Sequence, residues 1–167
     1  MQHTDILKVN SGTVLDVLGP IVEFLNFSED SPYCVMKGTI PPGVSVPLHS
    51  HADDEESFYV LSGEGEVLEE TEEGFVWKKV RRGDFVDISA GTKHAWRNQS
   101  DQPFDALIIA TTRLGMSFLE LGRPFRGNHS CPTLEDMERF FQVSQRYSYW
   151  LGSPEENKTV GITWLAK

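Results

Sequence analysis

Three of the five histidines in this 167-residue chain fall in two short, glycine-bounded stretches. The first is Gly43-Val-Ser-Val-Pro-Leu-His49-Ser-His51-Ala-Asp-Asp-Glu-Glu56, closing at Gly63, and the second runs from Gly83 through Ser89, Gly91 and His94 to Asn98. Side chains on a β-strand repeat with period two, so His49 and His51 project from one face, within reach of one ion. If the chain turns once after His51 and re-enters as a strand, Glu56 adds a carboxylate oxygen, and His94 on a later strand adds a third imidazole. Three nitrogens and one carboxylate suit a divalent transition metal (Fe, Mn, Ni, Cu, Co or Zn), and on one side of an ion they leave one or two coordination positions open. Open positions imply reactivity rather than a purely structural ion. A bare His-x-His more often marks a solvated strand face. Burying three imidazoles and a carboxylate together is costly unless each polar atom finds a partner, and one ion satisfies all four.

The flanking sequence reads as the strands that such a site needs. Thr13 to Leu18 and Ile21 to Phe27 form two short apolar runs around Gly19-Pro20, and Tyr33 to Ile40 ends at Pro41-Pro42-Gly43. Ser45 to His51 is the strand carrying the histidine pair. Glu56 to Leu61 alternates so that Glu56, Phe58 and Val60 face inward while Ser57 and Tyr59 face outward. A hairpin follows, with arms Glu66 to Glu70 and Phe75 to Val80, whose register sets Leu68 opposite Trp77 and Glu66 opposite Lys79. Asp84 to Ile88, His94 to Asn98 and the apolar run Phe104 to Thr111 continue the sheet. With His94 inward, Trp96 and Asn98 follow it, so Phe58, Val60, Trp96 and Asn98 are candidates for the pocket lining. An ordinary core role is the alternative for Phe58 and Trp96.

These residues resemble the cupin superfamily. In the first stretch a glycine is followed after five residues by His-x-His, then by Glu, then after six residues by Gly, and only Glu56, not Glu55, leaves the six residues before Gly63. The second stretch resembles the companion motif at Gly83, Gly91, His94 and Asn98, with Ser89 where the family usually has proline, a residue that stiffens a turn and touches no metal. The resemblance implies a mainly β chain: a cupin-type double-stranded β-helix, or jelly-roll barrel, holding a divalent transition metal through His49, His51, Glu56 and His94. It also implies a homodimer paired through barrel edges, which would cover an exposed edge strand. Families resembling this sequence include dioxygenases, isomerases, decarboxylases and lyases.

The chain length suits one domain: a barrel over residues 1–122 with its motifs inside 43–98, and a helical appendage over 123–167 packed on it. Leu114 to Leu121 reads either as a strand or as the lead-in to a helix, and Arg123 to Pro132, which contains His129, reads as a loop. Thr133-Leu-Glu-Asp136 has the form of a capping box, and Leu134, Met137, Phe140, Phe141, Tyr147, Trp150 and Leu151 recur at helical steps, predicting a helix of about five turns. Its aromatic stripe is expected to pack on the barrel, a lid or a dimer contact being the alternatives. Ser153-Pro154 begins a second, short helix, and Val160 to Leu165 suggests one last strand or a hook onto a partner.

Charge narrows the partners. A formal net charge of −10 and a pI near 4.9 argue against nucleic acid and anionic membranes, and the predicted helix carries Glu135, Asp136 and Glu138 against Arg139 and Arg146, a poor DNA reader. No run approaches the length of a membrane span, and no basic segment leads into an apolar one near Met1, so a cytoplasmic protein is expected. Cys34 and Cys131 have no paired spacing and read as reduced thiols, Cys34 within an apolar strand. The functional expectation is a metal-dependent enzyme on a small molecule, first a mononuclear-metal dioxygenase acting on a small oxygenated or aromatic substrate. The alternative is a non-catalytic barrel that binds or senses a small ligand through its metal. Asp53, Asp54 and Glu55 stand near the ligands, but an acidic run in a turn is usually solvated, and no catalytic base is assigned.

Overall fold

The structure, a computed structural model, describes residues 12–127 and 132–163, so His129, Cys131 and the end of the expected last strand lie outside the described residues. Short β-branched and aromatic runs punctuated by glycine and proline become β1 (Val14–Asp16), β2 (Ile21–Asn26), β3 (Tyr33–Ile40), β4 (Ser45–His51) and β5 (Glu56–Ser62). They continue as β6 (Glu64–Thr71), β7 (Gly74–Arg81), β8 (Phe85–Ile88), β9 (His94–Arg97) and β10 (Phe104–Thr111). After α1 (Thr112–Leu121) come β11 (Arg123–Pro124), α2 (Leu134–Arg146), β12 (Tyr149–Leu151) and α3 (Pro154–Thr159). Among the described residues the strands form two antiparallel sheets, one in the order β11-β1-β2-β3-β10-β5-β8 and the other β12-β4-β9-β6-β7. Their inner faces enclose one apolar core that includes Met36, Val60, Trp96 and Phe104. The fold is mainly β, a jelly roll with helices at its C-terminal end, as the sequence predicts.

Local patterning sets the registers. The hairpin of β6 and β7 pairs Leu68 with Trp77 and Glu66 with Lys79, as expected, and the ladder extends to Thr71 opposite Gly74, leaving a two-residue turn. The Glu66 carboxylate nevertheless bonds Arg97 Nε on β9, at 2.6 Å, and the Arg97 guanidinium lies 4.0 Å over the Trp77 ring. Alternation on β5 holds: Glu56, Phe58 and Val60 are buried, and Tyr59 is exposed. Gly63 shows why this position excludes a side chain. Its φ is +75°, and an added Cβ would come within 2.3 Å of the Pro103 carbonyl oxygen.

The C-terminal third departs from the expected single long helix. Thr133 and Asp136 do form the capping box of α2, but the helix stops at Arg146, Ser148 takes φ +57°, and Tyr149, Trp150 and Leu151 pair as a strand with β4. A run of aromatic residues fits either period, and here the open edge of β4 wins, because β12 satisfies backbone groups that a longer helix would leave unpaired. Leu114 to Leu121 lies in helix α1, and Arg123–Pro124 is a two-residue strand against β1 rather than loop. Val160 caps α3, and no strand is assigned at Val160 to Thr163. Phe140 and Tyr147 of the aromatic stripe join the barrel core together with Val143, while Leu134 and Phe141 stay exposed.

The segment around β12 and α3 also explains the outer face of the five-stranded sheet. Leu48, Leu68 and Ala95 form a second apolar cluster with Ile162, flanked by Trp77 and Trp150. Leu48 and Ala95 alternate with His49 and His94, so the strands that present imidazoles on one side bury an apolar patch on the other. Cys34 is a buried free thiol, which burial pushes up to about 11. No described helix is long and apolar enough to cross a membrane.

Candidate metal centre

The two motif stretches are joined at both ends by backbone hydrogen bonds. Gly43 N–H donates to the Asn98 carbonyl at 2.8 Å, Asn98 N–H returns to the Val44 carbonyl at 3.0 Å, and Gly91 N–H donates to the His51 carbonyl at 2.6 Å. Between these ties β4 and β9 run antiparallel with His49 opposite His94. Glu56 comes from the other sheet, as the first residue of β5. One ligating atom from each of His49, His51, Glu56 and His94 lies within 4.8 Å of the others. The imidazole centroids are 4.3 Å apart for His49 and His94, 4.8 Å for His49 and His51, and 5.2 Å for His51 and His94. His51, Glu56 and His94 are buried, and His49 is partly so.

Hydrogen bonds fix which ring atoms face inward. A carbonyl only accepts, so His49 Nδ1–H donates to Pro47 O at 2.7 Å and His94 Nδ1–H to Thr92 O at 2.8 Å. That leaves the Nε2 lone pair of each for a ligand, the backbone carbonyls holding the rings as outer partners of metal-bound imidazoles do. His94 Nε2 is buried, lies 2.8 Å from Glu56 Oε1, and has no geometrically sound hydrogen bond. Two acceptors at that distance with no proton on the line between them repel, and a cation shared by both removes the repulsion. Burial, reinforced by the neighbouring imidazoles, holds His49 well below its ordinary pKa. The same burial, with His94 and the Arg113 charge, lowers His51 to about 3. Both rings are therefore neutral at pH 7, the protonation state that binds metal. The donor set, its tautomers and the His94 contact fit a divalent ion.

Beside this cluster lies a cavity of about 110 Å³ bordered by His49, Glu56, Phe58 and Trp96. Phe58 and Trp96 pack at a centroid distance of 4.6 Å. Val60 and Asn98, also expected at the lining, sit elsewhere. Val60 is fully enclosed in the core, and Asn98 donates through Nδ2 to the carbonyls of Ile40 and Gln102 and accepts from Ser100, stapling the loop after β9. Both side chains are buried, but inward includes packed core as well as pocket.

Two contributors escape a sequence reading. Tyr149, within the stretch expected to be helical, stands opposite His51 on β12, with ring centroids 4.6 Å apart. Its hydroxyl donates to Ser117 Oγ at 2.8 Å, and burial raises its pKa, so it remains a neutral phenol. Asp54, expected to be solvated, is buried: Thr111 Oγ1 donates to it at 2.6 Å and Arg113 Nη1 at 2.5 Å. This fastens the turn that delivers Glu56 to the junction of β10 and α1.

A family model described as "Cupin domain" matches residues 36–110, the segment holding all four clustered side chains. This central segment is similar to a cupin domain. Solved cupin-type structures agree with the fold. A Cupin 2 conserved barrel domain protein from Salinispora arenicola is 19% identical with a TM-score of 0.55, covering 66% of this chain and 90% of its own. A double-stranded β-helix domain protein from Klebsiella pneumoniae is 20% identical with a TM-score of 0.52, covering 66% and 91%. A sugar phosphate isomerase of the cupin superfamily from Silicibacter pomeroyi is 20% identical with a TM-score of 0.54, covering 64% and 75%. Likeness at this level establishes the cupin barrel and carries no reaction with it. A search of curated proteins found no match to the chain.

Proposed function

We propose that His49, His51, Glu56 and His94 bind one divalent transition metal and that the protein is a metal-dependent enzyme of a small oxygenated substrate, a mononuclear-metal dioxygenase being the reaction the pocket favours. The observation that carries the metal assignment is His94 Nε2, buried against Glu56 Oε1 at 2.8 Å without a hydrogen bond. When bound, such an ion supplies Lewis acidity toward substrate oxygens and, if redox-active, a path for electrons to dioxygen.

The protein's own residues do the rest. Pro47 and Thr92 carbonyls orient the rings, Phe58 and Trp96 exclude water, and His49 and Glu56 present the open side of the cluster to the cavity. Among the residues bordering that cavity, no titratable side chain other than His49 and Glu56 is found. Isomerases and lyases commonly move protons with a positioned acid or base, and this lining offers none beyond the ligands themselves. A reaction driven by electron transfer makes no such demand. The same bare lining also suits a non-catalytic binder, which oxygen consumption separates from the enzyme.

Protein purified without chelators is expected to contain about one transition-metal ion per chain by elemental analysis, and His51→Ala to lower that occupancy at least about tenfold. Unchanged occupancy in the variant removes the site assignment. Oxygen uptake by iron- or manganese-loaded protein with chelatable hydroxy acids or diketones tests the reaction, and binding without uptake leaves the binder.

A further inference from the structure

We infer that the cavity beside the metal cluster selects a small monoanionic chelator with a short apolar tail, such as a 2-hydroxy or 2-oxo acid of three or four carbons, and rejects phosphorylated, dicarboxylic and aromatic relatives. The inference rests on the metal reading above and assigns the substrate class of the same site.

Three observations carry it. The first is volume. At about 110 Å³ the cavity is smaller than the roughly 150 Å³ apolar cavity that accommodates the six carbons of benzene, so about four or five non-hydrogen atoms fill it, room for a short tail once the oxygens of the chelating head sit at the ion. The second is charge. An imidazole that ligates a metal is neutral, so a divalent ion held by His49, His51, His94 and the Glu56 carboxylate carries one net positive charge, which one anionic group neutralises. A second negative charge needs a cation, and neither lysine nor arginine borders the cavity. Three barrel cations are engaged elsewhere: Arg113 with Asp54, Arg97 with Glu66, Lys37 with Asp105. A buried, uncompensated charge is among the most unfavourable things a protein interior can hold.

The third is wall chemistry. Apart from His49 and Glu56, polar side-chain atoms come only from Thr39, whose hydroxyl already donates to Asp105 at 2.6 Å, and Trp96, whose buried indole N–H has no protein acceptor. The remaining wall is aliphatic or aromatic, including Val46, Phe104, Ala106 and Ile108. A hydroxylated or charged tail therefore loses its water without gaining partners, while a methyl or ethyl tail is buried favourably. A carboxylate oxygen is an acceptor of the kind the Trp96 donor lacks.

The test keeps the chelating head constant and varies the tail. Full-length protein loaded with cobalt, its metal content verified by elemental analysis, is titrated by calorimetry with glycolate, lactate, 2-hydroxybutyrate, malate and mandelate. Each added CH₂ from glycolate to 2-hydroxybutyrate is expected to tighten binding about fourfold, the ratio for burying about 0.8 kcal/mol. Malate and mandelate are expected to bind at least about tenfold more weakly than lactate. Val46→Lys, a cation placed on the wall at a partly exposed position, is expected to recover malate binding selectively. If the ion does not load, the metal reading falls and this one with it. If the ion loads but malate or mandelate matches lactate, or no acid binds, the substrate class alone is overturned.

Discussion

Arg113 donates from Nη1 to the Asp54 carboxylate at 2.5 Å, placing a guanidinium against an acid that belongs to a run of four consecutive acidic residues and is nonetheless buried. The second terminal nitrogen, Nη2, donates to the Tyr147 carbonyl at 2.8 Å. One side chain thus ties the approach to Glu56 to the end of α2.

Removing that tie should cost stability in a way that reveals the pair. Arg113→Met leaves Asp54 buried beside Thr111 alone. Full burial of both partners would make the loss about 3–5 kcal/mol, but the Arg113 side chain is 37% exposed, so water screens the pair and about 1–3 kcal/mol is expected. Adding Asp54→Asn to Arg113→Met should restore part of the loss, because the stranded charge is gone. Urea midpoints of the two singles and the double give the coupling, and strict additivity would show that the contact contributes nothing.

The imidazoles set a pH dependence whose direction follows from their burial. In the unfolded chain a histidine takes up a proton near pH 6.5, whereas folded His51 resists protonation down to about 3 and His49 is likewise held low. Below pH 6.5 the unfolded state therefore binds more protons than the folded one. Stability of chelator-treated protein is full above that pH and falls as the pH drops toward 3. Ordinary carboxylates protonate near pH 4, so the decline between 6.5 and 5 reports the imidazoles. Urea midpoints across this range should fall for the native chain and fall less for His51→Gln. A level native profile would mean that these rings are charged when folded.

How much of this was legible beforehand depends on the range of the cause. His49 and His51 share a face because of strand period alone, and Glu56 is chosen over Glu55 by its distance from Gly63, so both follow from neighbours in sequence. The burial of Asp54 depends on Arg113, 59 residues later, and nothing in the local sequence marks Asp54 as different from Asp53 or Glu55. Tyr149 illustrates a second limit. Residues 147–151 satisfy a helical stripe and a strand alternation equally well, and the decision comes from the unpaired edge of β4, a tertiary fact. Val60 and Asn98 show a third: alternation tells which way a side chain points, but not whether space or packed atoms lie in front of it.

The C-terminal segment is secured to the histidine-bearing strand by one buried amide. Asn157 Oδ1 accepts from Leu48 N–H at 2.8 Å, and its Nδ2 donates to the carbonyls of Gly152 and Ser153 at 2.9 and 3.1 Å. Asn157→Ala strands the Leu48 N–H beneath Ile162, at an expected cost of about 1–3 kcal/mol. Asn157→Asp keeps an acceptor for Leu48 but loses both donors and introduces a buried charge, so it should also destabilise, for a different reason and with a loss that diminishes toward low pH. Because β12 and α3 cover only the outer side of β4, the opening should be local in the alanine variant. Amide hydrogen exchange at Leu48 is expected to accelerate by at least about tenfold, while exchange at Ile108, in the middle of β10 on the other sheet, changes less. Equal acceleration at both amides would show that Asn157 supports the whole barrel rather than the attachment of its last helix.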